Sequence, residues 1–171
     1  MRKALIAFAT THGHTGKIVT RVAEIVGADL MEIKRFRSLP AIGDYDVVIV
    51  AGSIYFGRHQ RRLERFIRAN LDALNKADNA LISVSGSAID ADSRADAEGY
   101  VTELTRLTGW APRRVLLAGG ATSYTRYGFF LKRTVRKASA ASGRGTDITR
   151  DYDYTDWPEV EAFALRISQS R

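Results

Sequence analysis

Short apolar runs alternate with amphipathic stretches along most of this chain. Apolar runs typical of buried strands lie at residues 3–9, 29–33, 46–51, 80–85 and 115–118. Four other stretches repeat apolar residues at helical spacing, at residues 15–27, 60–74, 92–107 and 156–168. Strands that alternate with helices predict an α/β fold, in which a parallel sheet is covered by helices on both faces.

The stretch at about residues 120–150 does not fit this alternation. It follows the fifth predicted strand and precedes the last predicted helix, so we interpret it as an insertion. Its middle mixes aromatic with basic side chains, and from about Phe129 it predicts a short, cationic, amphipathic helix. The connection at residues 36–44, in contrast, is too short for more than a turn or a brief helix.

Five strands in 171 residues favour a single three-layer domain whose parallel sheet has the strand order 2-1-3-4-5. Two nucleotide-binding motifs are missing from the sequence. No Gly-x-Gly-x-x-Gly follows the first strand, and no lysine stands at the spacing of a P-loop. A dinucleotide site and a P-loop are therefore not predicted.

The net charge of +7 is concentrated in one region. Nine of the 26 lysines and arginines, and none of the 19 acidic residues, lie between residues 104 and 146. This asymmetry suggests a local anionic partner, although a solvated surface has the same composition.

Composition also bears on two further questions, whether the protein has a metal site and where in the cell it is located. Cysteine is absent and the three histidines lack metal-ligand spacing, so no metal site is predicted. The sequence shows no signal peptide and no apolar run of about 18 residues. We therefore expect a cytoplasmic protein, with at most peripheral contact to the inner face of the cell membrane.

The turn after the first strand has the chemistry of a phosphate site. It reads Thr-Thr-His-Gly-His-Thr at residues 10–15 and leads directly into the first predicted helix. Hydroxyls and backbone N–H groups converge there near a helix N-terminus, whose partial positive charge attracts a phosphate. An ordinary strand–turn–helix corner uses the same residue types, so the turn alone leaves both interpretations open.

Two further loops are expected at the same edge of the sheet, because the carboxyl ends of parallel strands meet there. The loop at residues 52–59 is unusually aromatic, and the loop at residues 85–90 offers small residues and free backbone groups. A phosphate cradle beside two loops that can enclose a flat ring predicts a site for flavin mononucleotide (FMN).

These loops resemble those of the flavodoxin superfamily, whose fold is the flavodoxin-like three-layer sandwich. The flavodoxin phosphate pattern Thr/Ser-x-Thr-Gly-x-Thr is matched at Thr10, Gly13 and Thr15, whereas His12 replaces a threonine. The more specific segments are Ala-Gly-Ser-Ile-Tyr-Phe-Gly-Arg-His at 51–59, Tyr-Thr-Arg-Tyr at 124–127, Ser-Gly-Arg-Gly-Thr-Asp at 142–147 and Tyr-Thr-Asp-Trp at 154–157. They are similar to the flavodoxin-like, menaquinone-dependent protoporphyrinogen IX dehydrogenases.

The resemblance implies an FMN-dependent oxidoreductase of haem biosynthesis. Such an enzyme oxidises protoporphyrinogen IX to protoporphyrin IX and passes the electrons to menaquinone or another membrane quinone. The resemblance implies three groups of cofactor-binding residues: Thr10, Thr11, His12, Gly13, His14 and Thr15 around the phosphate; Ser53, Ile54, Tyr55, Phe56 and Gly57 along the ring edge; and Ser85, Gly86, Ser87 and Ala88 at the pyrimidine side. It identifies no general base, so the catalytic residues stay unassigned.

The insertion has a use in this scheme, because the substrate carries two propionates and the quinone lies in a membrane with an anionic surface. Either partner suits the insertion's aromatic and basic side chains, which are Tyr124, Arg126, Tyr127, Lys132, Arg133, Arg136 and Lys137. The neighbouring Phe129, Phe130 and Leu131 suit shallow insertion into a bilayer.

Several alternatives stay open at this point. An electron-carrier flavodoxin or an FMN-dependent quinone reductase has the same fold, although carrier flavodoxins tend to be acidic. An FMN enzyme of this fold with a substrate other than a porphyrinogen is a further alternative. A nucleic-acid-binding module would use the basic region, but no nucleic-acid motif is recognisable, so no nucleic-acid partner is predicted. Homo-oligomerisation is left open.

Overall fold

The computed structural model describes residues 2–34 and 42–170, and the predicted turn at residues 36–44 lies mostly outside them. The strands are β1 (Ala4–Ala9), β2 (Asp29–Glu32), β3 (Val47–Tyr55), β4 (Arg58–His59), β5 (Asp78–Ser85), β6 (Val115–Gly119), β7 (Ala121–Thr122) and β8 (Tyr152–Asp153). The α-helices are α1 (His14–Val26), α2 (Arg61–Ala69), α3 (Leu71–Lys76), α4 (Arg94–Thr108), α5 (Phe129–Ala141) and α6 (Trp157–Gln169).

The central sheet is parallel and has the order β2-β1-β3-β5-β6. This order confirms the predicted 2-1-3-4-5 arrangement, because the second to fifth long strands along the chain are β2, β3, β5 and β6. The prediction of five strands missed β4, which pairs antiparallel with the end of β3 and adds a sixth strand. It also missed a separate two-stranded ribbon formed by β7 and β8.

Alternate residues of the strands enter two apolar cores, one on each face of the sheet. In β1, Ile6 packs with α1 and α6, whereas Leu5 packs with the core that contains side chains of α2, α3 and α4. Both side chains are almost fully buried. Helices therefore cover both faces of the sheet, which confirms the predicted three layers.

Glycines set both ends of α1. Gly13 adopts a φ of +87° immediately before the helix, and Gly27 adopts a φ of +66° immediately after it. The N–H of Gly27 donates to the carbonyl of Ala23, which caps the helix as predicted. The start of α1 at His14 places the turn at residues 10–13 against the helix N-terminus.

The single helix predicted at residues 60–74 is wrong, because the chain forms α2 and α3 with a break at Asn70. The buried side-chain amide of Asn70 donates to the carbonyl of Phe66, at 3.0 Å. Asparagine side chains compete with the backbone for such bonds, and the backbone of Asn70 leaves the helical region, with a φ of −119°. The apolar spacing continues across the break and hides it in the sequence.

The insertion is closed at its base by the ribbon. Ala121 pairs with Asp153 and Thr122 with Tyr152, so the chain leaves β6 and returns to α6 through adjacent strands. Helix α5 lies within this closed segment and begins at Phe129, where the sequence predicts it. In residues 2–34 and 42–170, no helix has the length and apolarity that a bilayer span requires.

Candidate functional site

The carboxyl ends of β1, β3, β5 and β6 surround a cavity of about 200 Å³. Ten of the predicted cofactor residues line it: Thr10, Thr11, His12, His14, Thr15, Ser53, Ile54, Tyr55, Ser85 and Gly86. The structure therefore brings the three predicted loops together at one edge of the sheet, as expected for ligands of open parallel sheets. Ser87 lines an adjoining depression, and Phe56 lines a groove on the other side of the hairpin.

The turn at residues 10–15 lines the cavity at the N-terminus of α1. The hydroxyl of Thr10 accepts from the N–H of Gly13 at 2.9 Å, which fixes the turn. The first N–H groups of a helix have no intrahelical acceptor, so those of His14, Thr15 and Gly16 are available to an anion. Thr15 is buried and lines the cavity wall next to them. This geometry suits a phosphate.

His14 links the turn to the Tyr-Thr-Asp-Trp segment. Its Nε2 lies 2.7 Å from the hydroxyl oxygen of Thr155, and that hydroxyl donates to the carbonyl of Gly119 at 3.0 Å. Because the hydroxyl proton is used, Thr155 accepts from His14, which fixes the Nε2–H tautomer. Burial lowers the pKa of His14 more than Asp153, 3.5 Å away, raises it. His14 is therefore a neutral anchor for the turn.

His12 lies between aromatic side chains of the hairpin and the insertion. Its ring centroid is 4.8 Å from that of Tyr127 and 6.1 Å from that of Tyr55. The buried Nε2 has no hydrogen-bond partner among the described residues. Burial, assisted by the positive charge of Arg126, lowers the pKa of His12. The imidazole that replaces the usual threonine is thus neutral and faces the cavity.

Arg126 lies against the turn at residues 10–15, which is called the phosphate turn after its predicted ligand. Its guanidinium donates to the carbonyl of His12 at 2.7 Å, and a Cβ on Gly13 would stand only 2.6 Å from Arg126 Nη1. The sequence assigned Arg126 to substrate or membrane, and the structure places it beside the predicted phosphate site. Glycine is needed at this position for its positive φ, because the guanidinium of Arg126 is the end of a flexible side chain and can move away from a Cβ.

The aromatic loop predicted at residues 52–59 is a β-hairpin. Strand β3 continues to Tyr55, the chain turns at Phe56 and Gly57, and Arg58 and His59 return as β4. Both turn residues have positive φ, at +49° and +75°, as in a type I′ turn. The hairpin is more rigid than a loop, because Tyr55 pairs with Arg58 across it.

The loop after β5 is fixed by the end of the insertion. The Ser85 hydroxyl accepts from the N–H of Ala88 at 3.1 Å, and the guanidinium of Arg144 donates to the carbonyl of Gly86 at 3.0 Å. Arg144 also pairs with Asp90. Arg144 lies in the segment 142–147 that carries the resemblance but is not among the predicted site residues, because its partners lie more than 50 residues away along the chain.

The insertion supplies one wall of the cavity through Tyr127, Leu131 and Val135. Burial raises the pKa of Tyr127, which is therefore a neutral phenol at physiological pH. The hydroxyl of Tyr127 accepts from the N–H of Ser123 at 3.2 Å. Leu131 and Val135 were not among the predicted site residues. They lie one helical turn apart on α5, and Leu131 lines the cavity although the sequence grouped it with Phe129 and Phe130 for contact with a bilayer.

The other predicted insertion residues divide into two groups. Tyr124 is fully buried and donates to the carbonyl of Gly145 at 3.1 Å, so it stabilises the insertion from within. The basic residues of α5 point outward: Lys132 is half-buried, and Arg133, Arg136 and Lys137 are exposed. Phe129 and Phe130, at the start of the same helix, are 74% and 84% exposed.

Comparison with known proteins shows the family to which the chain is similar. Residues 5–149 match the family described as Flavodoxin domain. The chain is 28% identical to "Protoporphyrinogen IX dehydrogenase [quinone]" of Escherichia coli (strain K12), over 97% of this chain and 94% of that protein. It is 29% identical to a protein of the same name from Leishmania major, over 95% of this chain and 73% of that protein.

Solved structures agree on the fold. The "flavodoxin, WrbA-like protein" from Agrobacterium tumefaciens superposes with a TM-score of 0.55 and 14% identity, covering 99% of this chain and 94% of that one. An archaeal flavodoxin superposes with a TM-score of 0.52 and 13% identity, covering 98% and 97%. The predicted resemblance to flavodoxins, and to proteins named as protoporphyrinogen dehydrogenases, is confirmed.

Proposed function

Because this chain belongs to the flavodoxin domain family, we propose that it binds FMN and oxidises protoporphyrinogen IX to protoporphyrin IX, with a membrane quinone as electron acceptor. One observation carries the proposal: three loops and the insertion enclose a single cavity at the carboxyl edge of the sheet. The names of the relatives, which align over nearly the whole chain, support the substrate and the acceptor.

The residues around the cavity fit FMN. The N-terminal N–H groups of α1 and the hydroxyls of Thr10, Thr11 and Thr15 suit its phosphate. Arg126 adds a positive charge beside the turn. Small residues at the opposite wall, Gly86 and Gly120, leave room for a flat ring between the hairpin and the loop after β5. When bound, FMN supplies the redox chemistry.

The protein's part is to orient the reactants and to exclude water. Tyr127, Leu131 and Val135 cover the cavity with apolar surface, which limits access of solvent to the reacting centre. The hairpin and Arg144 hold two walls of the cavity in fixed positions. Both histidines in the phosphate turn are neutral, so backbone N–H groups and Arg126 provide the positive potential for the phosphate.

Helix α5 fits contact with an anionic membrane surface. The exposed Phe129 and Phe130 stand at its N-terminal end, and three exposed basic side chains, Arg133, Arg136 and Lys137, follow on the same helix. Exposed apolar side chains next to basic ones are typical of helices that lie in the bilayer interface. This contact would place the enzyme peripherally on the inner face of the membrane, next to its quinone.

The proposal is tested by an anaerobic assay of the FMN-loaded protein with protoporphyrinogen IX and a menaquinone analogue. We expect protoporphyrin fluorescence to rise only when protein and quinone are both present. Titration of the apoprotein with FMN should quench the flavin fluorescence, and riboflavin, which lacks the phosphate, should bind much more weakly. A protein that binds FMN but forms no protoporphyrin would contradict the substrate, and one that binds no FMN would contradict the whole proposal.

A further inference from the structure

A wide groove that the function above does not use lies on the outer side of the β3–β4 hairpin. It has a volume of about 1110 Å³ and runs between the hairpin and the exposed face of α2. Five arginines line it: Arg58, Arg61, Arg62, Arg65 and Arg68. We call it the arginine groove. Among the described residues that line it, Glu64 is the only acidic one, and it is buried and paired with Arg58 at 2.8 Å.

Three of the five arginines have partners within the fold. Arg58 forms the ion pair with Glu64, Arg62 donates to the carbonyl of Thr10, and Arg68 donates to the carbonyl of Leu107 at 2.7 Å. These contacts hold the hairpin, the phosphate turn and α4 against α2. The guanidinium groups of these three residues are therefore committed to the structure.

Arg61 and Arg65 are different. Both are exposed, and neither has a hydrogen bond or ion pair to any residue in the described part of the chain. They are four positions apart on α2, so their side chains project from the same helix face. Arg61 also occupies the first turn of α2, where the helix dipole disfavours a cation. An anion bound there would be favoured by the helix terminus and by both guanidinium groups.

Phe56 gives the groove an aromatic surface. Its side chain is 82% exposed, although the ring of Tyr55 contacts it at a centroid distance of 4.5 Å. It holds this position at a φ of +49°, a conformation that costs free energy for any residue with a bulky side chain. A strained, exposed aromatic residue beside unpaired arginines is an arrangement that a ligand with an apolar body and anionic groups would fit.

The arginine groove adjoins the cavity. Thr10, Thr11 and Tyr55 line both, so a ligand in the groove lies next to the cofactor site. We propose that Arg61 and Arg65 bind the propionate carboxylates of the tetrapyrrole substrate, while Phe56 contacts its macrocycle. This inference rests on the proposed function and names the residues that recognise its substrate.

The chemistry of the two partners is complementary. Protoporphyrinogen IX combines an apolar macrocycle with two carboxylates, and the groove combines an aromatic surface with two uncommitted guanidinium groups. Guanidinium and carboxylate form paired, parallel hydrogen bonds, which a lysine cannot reproduce. The concave groove suits a small ligand, whereas the convex, outward face of α5 suits a membrane.

The test uses the stable product, protoporphyrin IX, and its dimethyl ester, whose carboxylates are blocked. Binding of each to the FMN-loaded protein is measured by tetrapyrrole fluorescence. We expect the double variant Arg61→Gln/Arg65→Gln to bind protoporphyrin IX about tenfold more weakly, because two charge-assisted contacts at partly exposed sites are lost. Its affinity for the dimethyl ester and for FMN should not change. The variant Arg61→Lys/Arg65→Lys should lie between wild type and the glutamine pair.

A matched control removes two positive charges elsewhere. Arg113 and Arg166 lie outside the groove and the cavity, so Arg113→Gln/Arg166→Gln should bind protoporphyrin IX as the wild type does. The inference is overturned if Arg61→Gln/Arg65→Gln binds protoporphyrin IX as tightly as the wild type does. It is also overturned if this variant binds protoporphyrin IX and the dimethyl ester more weakly by the same factor. If either result is found while the wild type oxidises protoporphyrinogen IX, the proposed function stands and only the role of the arginine groove is rejected. If the wild type neither binds protoporphyrin IX nor oxidises protoporphyrinogen IX, the proposed function and the role of the groove are both rejected.

Discussion

All three histidines of the chain occupy environments that disfavour the imidazolium. Burial lowers the pKa of His12 and of His14 in the phosphate turn. The effect is largest for His59 in β4, which is 3% exposed and whose Nε2 lies 3.1 Å from the hydroxyl of Ser83. The two histidines of the turn at residues 10–15 therefore add no positive charge to the proposed phosphate site, because burial disfavours their charged form.

At the residue scale, His59 predicts how stability depends on pH. Burial lowers its pKa from 6.5 to about 4, and a hydrogen bond with the backbone of Tyr100 raises it by less. Between these values the unfolded chain binds a proton that the folded chain does not. The free energy of unfolding should therefore fall as the pH decreases from about 6.5 to about 4, by roughly 3 kcal/mol from this residue.

The measurement is urea denaturation at several pH values for the wild type and two variants. His59→Gln keeps a hydrogen-bonding group and cannot titrate, so its stability should depend less on pH in this window. Ser83→Ala keeps the histidine and should lower stability at every pH without flattening the profile. Equal slopes for the wild type and His59→Gln would show that His59 is not responsible.

At the scale of elements, the β3–β4 hairpin explains the clearest difference between sequence and structure. A type I′ turn needs positive φ at two successive residues, and Asn-Gly is its usual sequence signal. This chain has Phe56-Gly57 instead, so the sequence predicts a loop where the structure has a hairpin. The helix break at Asn70 was missed for a related reason, since the apolar spacing that predicts α2 also continues into α3.

Substitutions in this turn should change stability in opposite directions. Asparagine tolerates the left-handed region that Phe56 occupies, so Phe56→Asn should raise the free energy of unfolding by about 1 kcal/mol. Gly57→Ala places a Cβ at a φ of +75° and should lower it by about 1–2 kcal/mol, although no atom lies within 4 Å of that Cβ. Denaturant titration measures both.

The Phe56 variant also separates stability from function. If Phe56 contacts the tetrapyrrole, Phe56→Asn should bind protoporphyrin IX more weakly even though it is more stable, which is the usual cost of a strained functional residue. Gly57→Ala leaves the aromatic ring in place and serves as the control for a disturbed turn. A Phe56→Asn protein that is less stable than the wild type would show that the backbone is not strained there.

At the scale of the whole molecule, local patterns predicted the sheet order, the three layers and the position of the three loops. They did not predict the contacts that hold the insertion in place. Arg126 and His12 are 114 residues apart, and Arg144 and Gly86 are 58 apart, so no spacing along the chain reveals these contacts. The sequence predicts a helix from about Phe129 within the insertion, but the insertion's position as a wall of the cavity depends on those distant partners.

The fold places exposed basic side chains in two separate regions of the surface. The arginine groove lies on α2, and the basic face of α5 lies in the insertion together with two exposed phenylalanines. A count of charge along the sequence shows only the second, because acidic residues around α2 offset its arginines. Helical spacing nevertheless places Arg61, Arg62, Arg65 and Arg68 on one face of the helix predicted at residues 60–74. We assign the groove to the substrate and α5 to the membrane, and the two assignments are separable by experiment.

Vesicle sedimentation tests the membrane assignment. The protein should bind vesicles that contain phosphatidylglycerol, and binding should weaken with salt, because each basic side chain near an anionic surface contributes about 1 kcal/mol.

Phe129→Ser/Phe130→Ser should lower the partition coefficient at least about tenfold through loss of apolar contact. Leu165→Ser removes an apolar side chain that is 49% exposed on α6, outside the insertion, and should have no effect. Arg61→Gln/Arg65→Gln should bind these vesicles as the wild type does, since its arginines serve the groove. Equal binding to neutral phosphatidylcholine vesicles, or unchanged binding by the phenylalanine variant, would contradict the role assigned to α5.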